Sequence, residues 1–310
     1  MGAMKIIRLQ VPATSANLGP GFDVLGVALS LFNDVHFSAQ GWLSRPATAL
    51  RVSVEGEGAQ TLACDASNLV MHAAFHIFKK AQRWPAHLHA RLVNRIPLSR
   101  GLGSSSAAIV GGMAAANRLL GDRFSQKEIL DDATTMEGHP DNVTPALFGG
   151  FCISGIFGKE TRHWIIPASA TLKAIVAVPD RPLSTKAARL VLPKKVNLKD
   201  AVFTASHVAF LLGALLQKRY DWLGEAMDDV LHQPYRARLV PGLRDVMIKA
   251  KQAGAYGAAL SGAGSCVLAL APKGRTELRV AAAMQREFIR HQMPNRILNL
   301  KLENKGVRFR

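Results

Sequence analysis

The chain has 310 residues, of which 48% are apolar and only 6% aromatic. That is the composition of a packed globular core rather than of a disordered or fibrous chain, at a length that suits one large domain or two fused lobes. Thirty-nine Lys and Arg against 22 Asp and Glu leave a formal charge of +17, which favours polyanions in general, but the basic residues are scattered apart from Lys194-Lys195 and the C-terminal tail, so a solvated basic surface accounts for them as readily as nucleic acid does.

Cys64, Cys152 and Cys266 lie far apart with no Cys-x-x-Cys spacing, and no His-x-x-x-His pair is backed by a glutamate. A disulfide framework and a zinc site are not expected, and a reducing cytoplasm fits. No apolar signal segment opens the chain and no run of about 20 apolar residues predicts a membrane span. Met1-Gly2-Ala3 reads as an extension ahead of Met4.

Residues 7–11 alternate apolar and polar, as a strand with one wet face does, and Pro12 is expected to close it. Residues 12–23, dense in Gly and Pro, read as a stiff loop in which Asn17 and Asp23 flank Gly-Pro-Gly to meet a ligand. Alternation at Val35, Phe37 and Ala39 and at Leu50, Val52 and Val54 predicts two strands. Leu69, Ala73 and Ile77 share a helical face over 68–80, with Ser67 placed as the cap.

Leu88, Ala90 and Leu92 mark another strand. It leads into Arg100-Gly101-Leu102-Gly103-Ser104-Ser105-Ser106-Ala107-Ala108 and a buried helix over 107–120. Glycine reaches positive φ without a Cβ clash, and a helix start leaves about four N–H donors unpaired. Alone, the stretch reads equally as an ordinary capped loop or as an anion site.

Ser125-Gln126-Lys127-Glu128 is a capping box opening a helix that runs to about Glu137. Glu137-Gly138-His139-Pro140-Asp141-Asn142 follows as a second rigid polar loop, and Gly149-Gly150-Phe151 feeds an apolar strand. The polar stretch 158–171 marks a boundary between lobes 1–165 and 166–310. The second half reads as a strand (172–178), a loop with Ser184, Thr185, Lys186 and Arg189, helices over 200–218, 222–231 and 243–252, strands 257–260 and 266–271 joined by Ser261-Gly262-Ala263-Gly264-Ser265, a helix over 276–291 and a strand over 297–302. This order predicts an α+β fold, with an antiparallel sheet covered by helices on one face.

Some chemistries are absent. There is no G-x-x-x-x-G-K-[ST] loop and no G-x-S-x-G elbow, and Ser106 stands where a dinucleotide fingerprint would have its third glycine.

Taken together and in order, Val11-Pro12-Ala13-Thr14-Ser15-Ala16-Asn17-Leu18-Gly19-Pro20-Gly21-Phe22-Asp23, then residues 97–108, 137–145 and 257–267, resemble the motifs of the GHMP kinases, named for galacto-, homoserine, mevalonate and phosphomevalonate kinases. The resemblance covers nearly the whole chain. It implies an N-terminal lobe like the second domain of ribosomal protein S5, a ferredoxin-like C-terminal lobe, a homodimer, and phosphoryl transfer from ATP with Mg²⁺. The Asn-Leu-Gly-Pro-Gly-Phe-Asp and Glu-Gly-His-Pro-Asp-Asn versions are similar to those of members that phosphorylate the side-chain hydroxyl of L-homoserine, on the way to threonine. Neither nucleic acid nor membrane is an expected partner.

Carried over residue by residue, the resemblance makes Pro97, Leu98, Ser99, Arg100, Gly101, Leu102, Gly103, Ser104, Ser105, Ser106 and Ala107 the triphosphate cradle, with Asn68 near the base and ribose. It gives Mg²⁺ to Ser105 and to the acid eleven residues before Asn142, which is Asp131 where the family has Glu; Glu137 is the second choice. Asn142 stands where related kinases have an aspartate base, and an amide cannot take the proton. Asp23, Asp141 and Asn142 are thus placed at the reaction centre. Asp23 and Asp141 would receive the substrate's ammonium and Arg189 and Arg236 its carboxylate, with Asn17 and His139 completing the pocket. Residues 261–265 would buttress the phosphate loop, with Ala263 and Ser265 standing where the family has Ser and Pro. Two alternatives remain: a family member acting on a sugar or isoprenoid alcohol, which needs no carboxylate fork, and a nucleic-acid-binding module, invited by the charge and the S5-like lobe.

Overall fold

The computed structural model describes residues 4–310, so the 1–3 extension lies outside the described residues. Strands β1 (Lys5–Asn17), β2 (Gly21–Leu43), β3 (Ala49–Gly56) and β4 (Trp84–Asn94) form the body of a first sheet. With β11 (Arg308–Phe309) at one edge its order is β11-β1-β2-β4-β3, and β5 (Phe151–Phe157) pairs with β2 and with β6 (Glu160–Ile166). Among the described residues of this sheet only β3 and β4 pair in parallel. Helices α1 (Leu69–Ala81), α2 (Ser104–Leu119), α3 (Gln126–Glu137) and α4 (Pro140–Phe148) accompany this sheet, and Val11, Val35, Phe37, Ile77, Val110 and Met113 are buried in the core between them.

The second sheet has order β10-β7-β9-β8, from β7 (Leu172–Pro179), β8 (Gly257–Leu260), β9 (Val267–Pro272) and β10 (Asn295–Lys301), all antiparallel. With α9 (Leu243–Gln252) before β8 and α10 (Arg275–Arg290) between β9 and β10, this is the split βαβ pattern of a ferredoxin-like lobe. The end of the chain leaves that lobe, and β11 (Arg308–Phe309) pairs with β1 in the first sheet.

Several expectations needed correction. Pro12 does not end β1. A register shift between Pro12 and Ala13 absorbs the residue that lacks an N–H, and pairing with β2 continues to Asn17. Asn68, not Ser67, caps α1. The helix expected over 222–231 is a short turn and α7 (Leu223–Ala226), because the Asp229 carboxylate takes the N–H groups of Leu231, His232 and Gln233 and opens α8 (Gln233–Arg236) instead. α5 (Thr185–Leu190) occupies the expected 184–189 loop. α6 (Leu198–Gln217) is, by length and composition alone, apolar enough to cross a membrane, contrary to the expectation that no segment is. Leu211, Ala214 and Leu215 bury one side of it, while Val202, Phe210 and Leu216 are exposed.

The α1–α2 contact depends on Gly112, where an added Cβ would lie 2.1 Å from Val70 O. Gly213, on the open side of α6, has nothing within 4 Å of that position. The same change therefore has opposite signs: Gly112→Ala is expected to lower unfolding free energy by about 1–3 kcal/mol through overpacking, and Gly213→Ala to raise it by about 0.5–1 kcal/mol through helix propensity, read from urea unfolding midpoints.

Candidate active site

Four stretches meet at the junction of the two sheets, around a cleft of about 490 Å³. The first is residues 12–23, a hairpin rather than the expected loop. Its bend places Asn17, Leu18 and Asp23 at positive φ, a region that non-glycine residues seldom adopt. Asn17 holds the bend in place. Its Oδ1 accepts from Asp23 N at 3.1 Å, and its Nδ2 donates to Gly262 O at 3.0 Å. The Asp23 carboxylate receives both arms of the Arg189 guanidinium from α5, at 3.0 and 2.8 Å.

The second stretch is the glycine loop. Pro97, Leu98, Ser99, Arg100, Gly101, Leu102, Gly103, Ser104 and Ser105 all line the cleft. Glycine is required twice: at Gly103 (φ +67) a Cβ would fall 1.9 Å from Thr14 Oγ1, and at Gly101 (φ +78) 2.0 Å from Ser261 O. Asn68, Ser125, Ser184 and Asn197 cap α1, α3, α5 and α6 with their side chains, but Gly103 has none to offer α2. The first-turn N–H groups of α2 and its positive end are left to the cleft.

Some groups of the expected cradle are engaged elsewhere in the fold. The Arg100 side chain donates to Pro179 O at 2.7 Å and Leu98 O at 3.0 Å, tying the loop to β7. Ser106 and Ala107 are buried, and the Ala107 N–H donates to Gly103 O at 2.8 Å, so it is not available to a phosphate. Asn68 lines the cleft but its side chain is engaged, accepting from Val70 N at 3.0 Å and donating to Ala63 O at 2.7 Å.

Asp131 is not beside Ser105. It accepts from Lys127 Nζ at 2.9 Å and from Thr161 N at 2.7 Å, joining α3 to β6. Burial alone would raise its pKa, but these two donors outweigh it and hold the carboxyl below its ordinary value. The acid that reaches the loop is Glu137, at the end of α3, whose Oε2 and Oε1 accept from the Ser105 and Ser106 hydroxyls at 2.8 and 3.0 Å. An all-oxygen set of this kind fits a hard divalent cation that keeps several waters.

The third stretch is also helical where a loop was expected. Pro140 opens α4, so Asp141 and Asn142 stand on its first turn. Asp141, 2% exposed, accepts from His139 Nδ1 at 2.5 Å and from Asn142 Nδ2 at 3.3 Å, while Asn142 Oδ1 accepts from Thr14 Oγ1 at 2.7 Å. Burial works against a charged His139, but the Asp141 hydrogen bond and the charges of Asp141, Glu137 and Asp23 outweigh it and raise its pKa.

From the second lobe comes Arg236, on α8 and buried. Its Nε donates to Ala188 O at 3.2 Å and its Nη1 to Gly262 O at 2.9 Å, and among the described residues it has no carboxylate partner. Burial, and then the nearby Arg189, bring its pKa down to about 10. The fourth stretch, 261–265, links the lobes: the Ser261 hydroxyl donates to Gly101 O at 2.6 Å and lies 2.8 Å from Ser15 Oγ.

Four contributors were missed in the sequence. Thr14 and Ser15 gave a signal, being buried hydroxyls between Val11, Ala13 and Ala16 in β1. Phe22 and His232 gave none, because an aromatic ring and a lone histidine read as ordinary packing.

The His139–Asp141 contact is testable by NMR. The His139 ring should titrate above its ordinary 6.5, and Asp141→Asn should move the midpoint below that value as burial takes over. A raised folded-state pKa means that the stabilisation is complete below about pH 6.5 and is lost as pH rises through the folded value. An unshifted His139 in the intact protein would contradict the contact.

Residues 68–150 match the model described as the GHMP kinases N terminal domain, and residues 211–290 that described as GHMP kinases C terminal. The homoserine kinase of Carboxydothermus hydrogenoformans is 43% identical over 302 residues, covering 97% of this chain and 96% of that protein. That of Gloeobacter violaceus is 45% identical over 290 residues, 94% of each. The crystal structure of homoserine kinase from Cytophaga hutchinsonii superimposes with a TM-score of 0.88 at 30% identity, covering 100% of this chain and 99% of that one. The structure of L. major mevalonate kinase in complex with R-mevalonate shares the fold, with a TM-score of 0.68 at 16% identity over 99% of this chain and 97% of that one. A chain so related along its whole length, with the glycine loop and both flanking motifs gathered round one cleft, belongs to the GHMP kinase family and, within it, to the homoserine kinases.

Proposed function

We propose that the protein transfers the terminal phosphoryl group of MgATP to the side-chain hydroxyl of L-homoserine, giving O-phospho-L-homoserine in the cytoplasm on the way to threonine. One observation carries the reading. A single cleft holds both an uncapped, glycine-flanked helix start and an oppositely charged set, Asp23 and Asp141 against Arg189 and Arg236. The first suits a polyphosphate and the second a zwitterion.

In phosphoryl transfer the protein chiefly positions groups and neutralises charge. The N–H groups at the start of α2 receive the phosphates, and Ser105 and Glu137 hold Mg²⁺, which when bound neutralises charge on the phosphate oxygens. Asp23 and Asp141 take the ammonium and the two arginines the carboxylate, so Arg189 exchanges its internal partner Asp23 for the substrate. Asn142, fixed by Thr14, orients the attacking hydroxyl. An amide is no base, so the proton goes to the phosphate or to water. In this reading residues 1–165 form the nucleotide lobe and 166–310 the second lobe. The unpaired Cys64, Cys152 and Cys266 support a reducing compartment. A homodimer is part of the same reading, supported by the exposed apolar face of α6, and a monomer in sedimentation equilibrium removes that part.

A coupled ADP-release assay with homoserine, serine, threonine, mevalonate and galactose should give turnover with homoserine well above the rest; preferred turnover of galactose or mevalonate overturns the assignment. Arg236→Ala should raise the homoserine KM roughly tenfold to 150-fold, the worth of a charged hydrogen bond of about 1.5–3 kcal/mol, and leave the ATP KM unchanged. Glu137→Gln should lower kcat and raise the Mg²⁺ concentration needed for half-maximal rate, whereas Asp131→Asn should change neither; the reverse pattern would return the metal to Asp131.

A further inference from the structure

Two guanidinium groups facing one cleft repel each other; the Asp23 carboxylate is held by Arg189, and Arg236 has no carboxylate hydrogen-bonded to it among the described residues. An aromatic ring lies within reach of both cations. The Arg189 and Arg236 guanidinium carbons lie 5.4 and 5.2 Å from the centroid of Phe22, both within cation–π range. The ring is steadied in turn by His232, whose centroid is 5.3 Å away at an interplanar angle of 33°.

His232 is wholly buried and ties two parts of the site together. Its Nε2 lies 2.8 Å from Gly19 O, a carbonyl that can only accept, so Nε2 carries the hydrogen. Burial disfavours a second proton on the ring, which leaves Nδ1 as an acceptor 3.3 Å from Arg236 Nη1. One imidazole therefore spans the turn that precedes Phe22 and Asp23 and the guanidinium of α8. The backbone under it is fixed by Asp229, which accepts from the N–H groups of Leu231, His232 and Gln233 at 2.8, 3.0 and 2.7 Å. With Nε and Nη1 of Arg236 engaged, its Nη2 has no partner among the described residues.

We propose that Phe22 and His232 are positioning residues that set the spacing and aim of the Arg189–Arg236 pair, and so determine the preference for an α-amino acid over the corresponding amino alcohol. The inference rests on the phosphotransfer reading above. Neither residue touches the reacting atoms. Their effect is confined to substrates that carry a carboxylate, since the ammonium and hydroxyl ends are held by other side chains.

The discriminating pair of substrates is L-homoserine and 3-aminopropan-1-ol, which has the same hydroxyl and ammonium but no carboxylate. The quantity to measure is the ratio of their kcat/KM values, with slow turnover of the amino alcohol replaced by its inhibition constant against homoserine. Phe22→Leu keeps most of the volume at a half-buried position and removes the π face, and His232→Gln keeps a hydrogen-bonding group but not the span. Each should lower the homoserine preference by roughly five- to tenfold, the loosening of about one hydrogen bond, with the ATP KM within twofold of the parent. An unchanged ratio, or equal losses on both substrates, overturns the proposal. If His232→Gln does not fold by circular dichroism, Phe22→Leu decides alone. A parent enzyme that turns over homoserine while the variants keep its preference sinks this inference only; a parent inactive on homoserine sinks both.

Discussion

The Ser261 hydroxyl, wholly buried, sits where three remote parts of the chain meet. It donates to Gly101 O in the glycine loop at 2.6 Å and lies 2.8 Å from Ser15 Oγ in β1, while its own backbone belongs to the turn between β8 and β9. Around it, Gly262 N donates to Ala16 O and Cys266 N to Arg100 O, each at 3.1 Å. Loops normally stay at the surface because their backbone groups need partners. Here three irregular segments satisfy one another, which lets a glycine-rich loop lie under protein and still present one edge to a ligand. Gly101 O could not approach Ser261 if residue 101 carried a Cβ.

The same knot places the electrostatics. Gly262 O, fixed by that turn, accepts from both Asn17 Nδ2 and Arg236 Nη1. One carbonyl from the second lobe thus orients the residue that bends the hairpin and the cation that faces it. A buried cation without a hydrogen-bonded carboxylate is costly to maintain, and Arg236 is supported by carbonyl dipoles, the Phe22 face and the nearby charges of Asp23, Asp229 and Asp141. The arrangement is poised for an anion, since a ligand carboxylate meets a desolvated guanidinium that has already lost its water. Asp23 and Arg189, by contrast, are more exposed and already paired with each other, so a zwitterion can exchange for that pair without stranding a charge.

Much of this architecture could be read from the residues. The capping box at Ser125 and Glu128, the strands around Val35 and Leu88, and α9 over Leu243–Gln252 follow from patterns a few residues long, and local patterns survive folding. What could not be read depended on partners distant in sequence. β11 is two residues long and exists because β1 has an open edge. Pro12 looks like a terminator until the bulge opposite β2 is seen. Arg100 looks like a phosphate ligand until Pro179 is found beside it. His232 owes its function to Gly19 and Arg236, and no spacing rule connects a hairpin turn to a helix in the other lobe.

The metal carboxylate shows why counting along the chain misleads. Asp131 and Glu137 are both on α3, six residues apart, and an α-helix turns about 100° and rises 1.5 Å per residue. Their side chains therefore point about 240° apart around the axis and lie about 9 Å apart along it. A fixed count back from Asn142 assumes that the bend between α3 and α4 has constant length. In this chain the bend is only Gly138 and His139, Gly138 at φ +91 and His139 extended before Pro140 starts the next helix. A connection this tight brings the last turn of α3, not its middle, against the start of α2. The acid on that last turn meets Ser105 and Ser106, and Asp131, one and two-thirds turns earlier, meets β6 instead. Residue order decides which acids are available; the length of the bend decides which of them arrives.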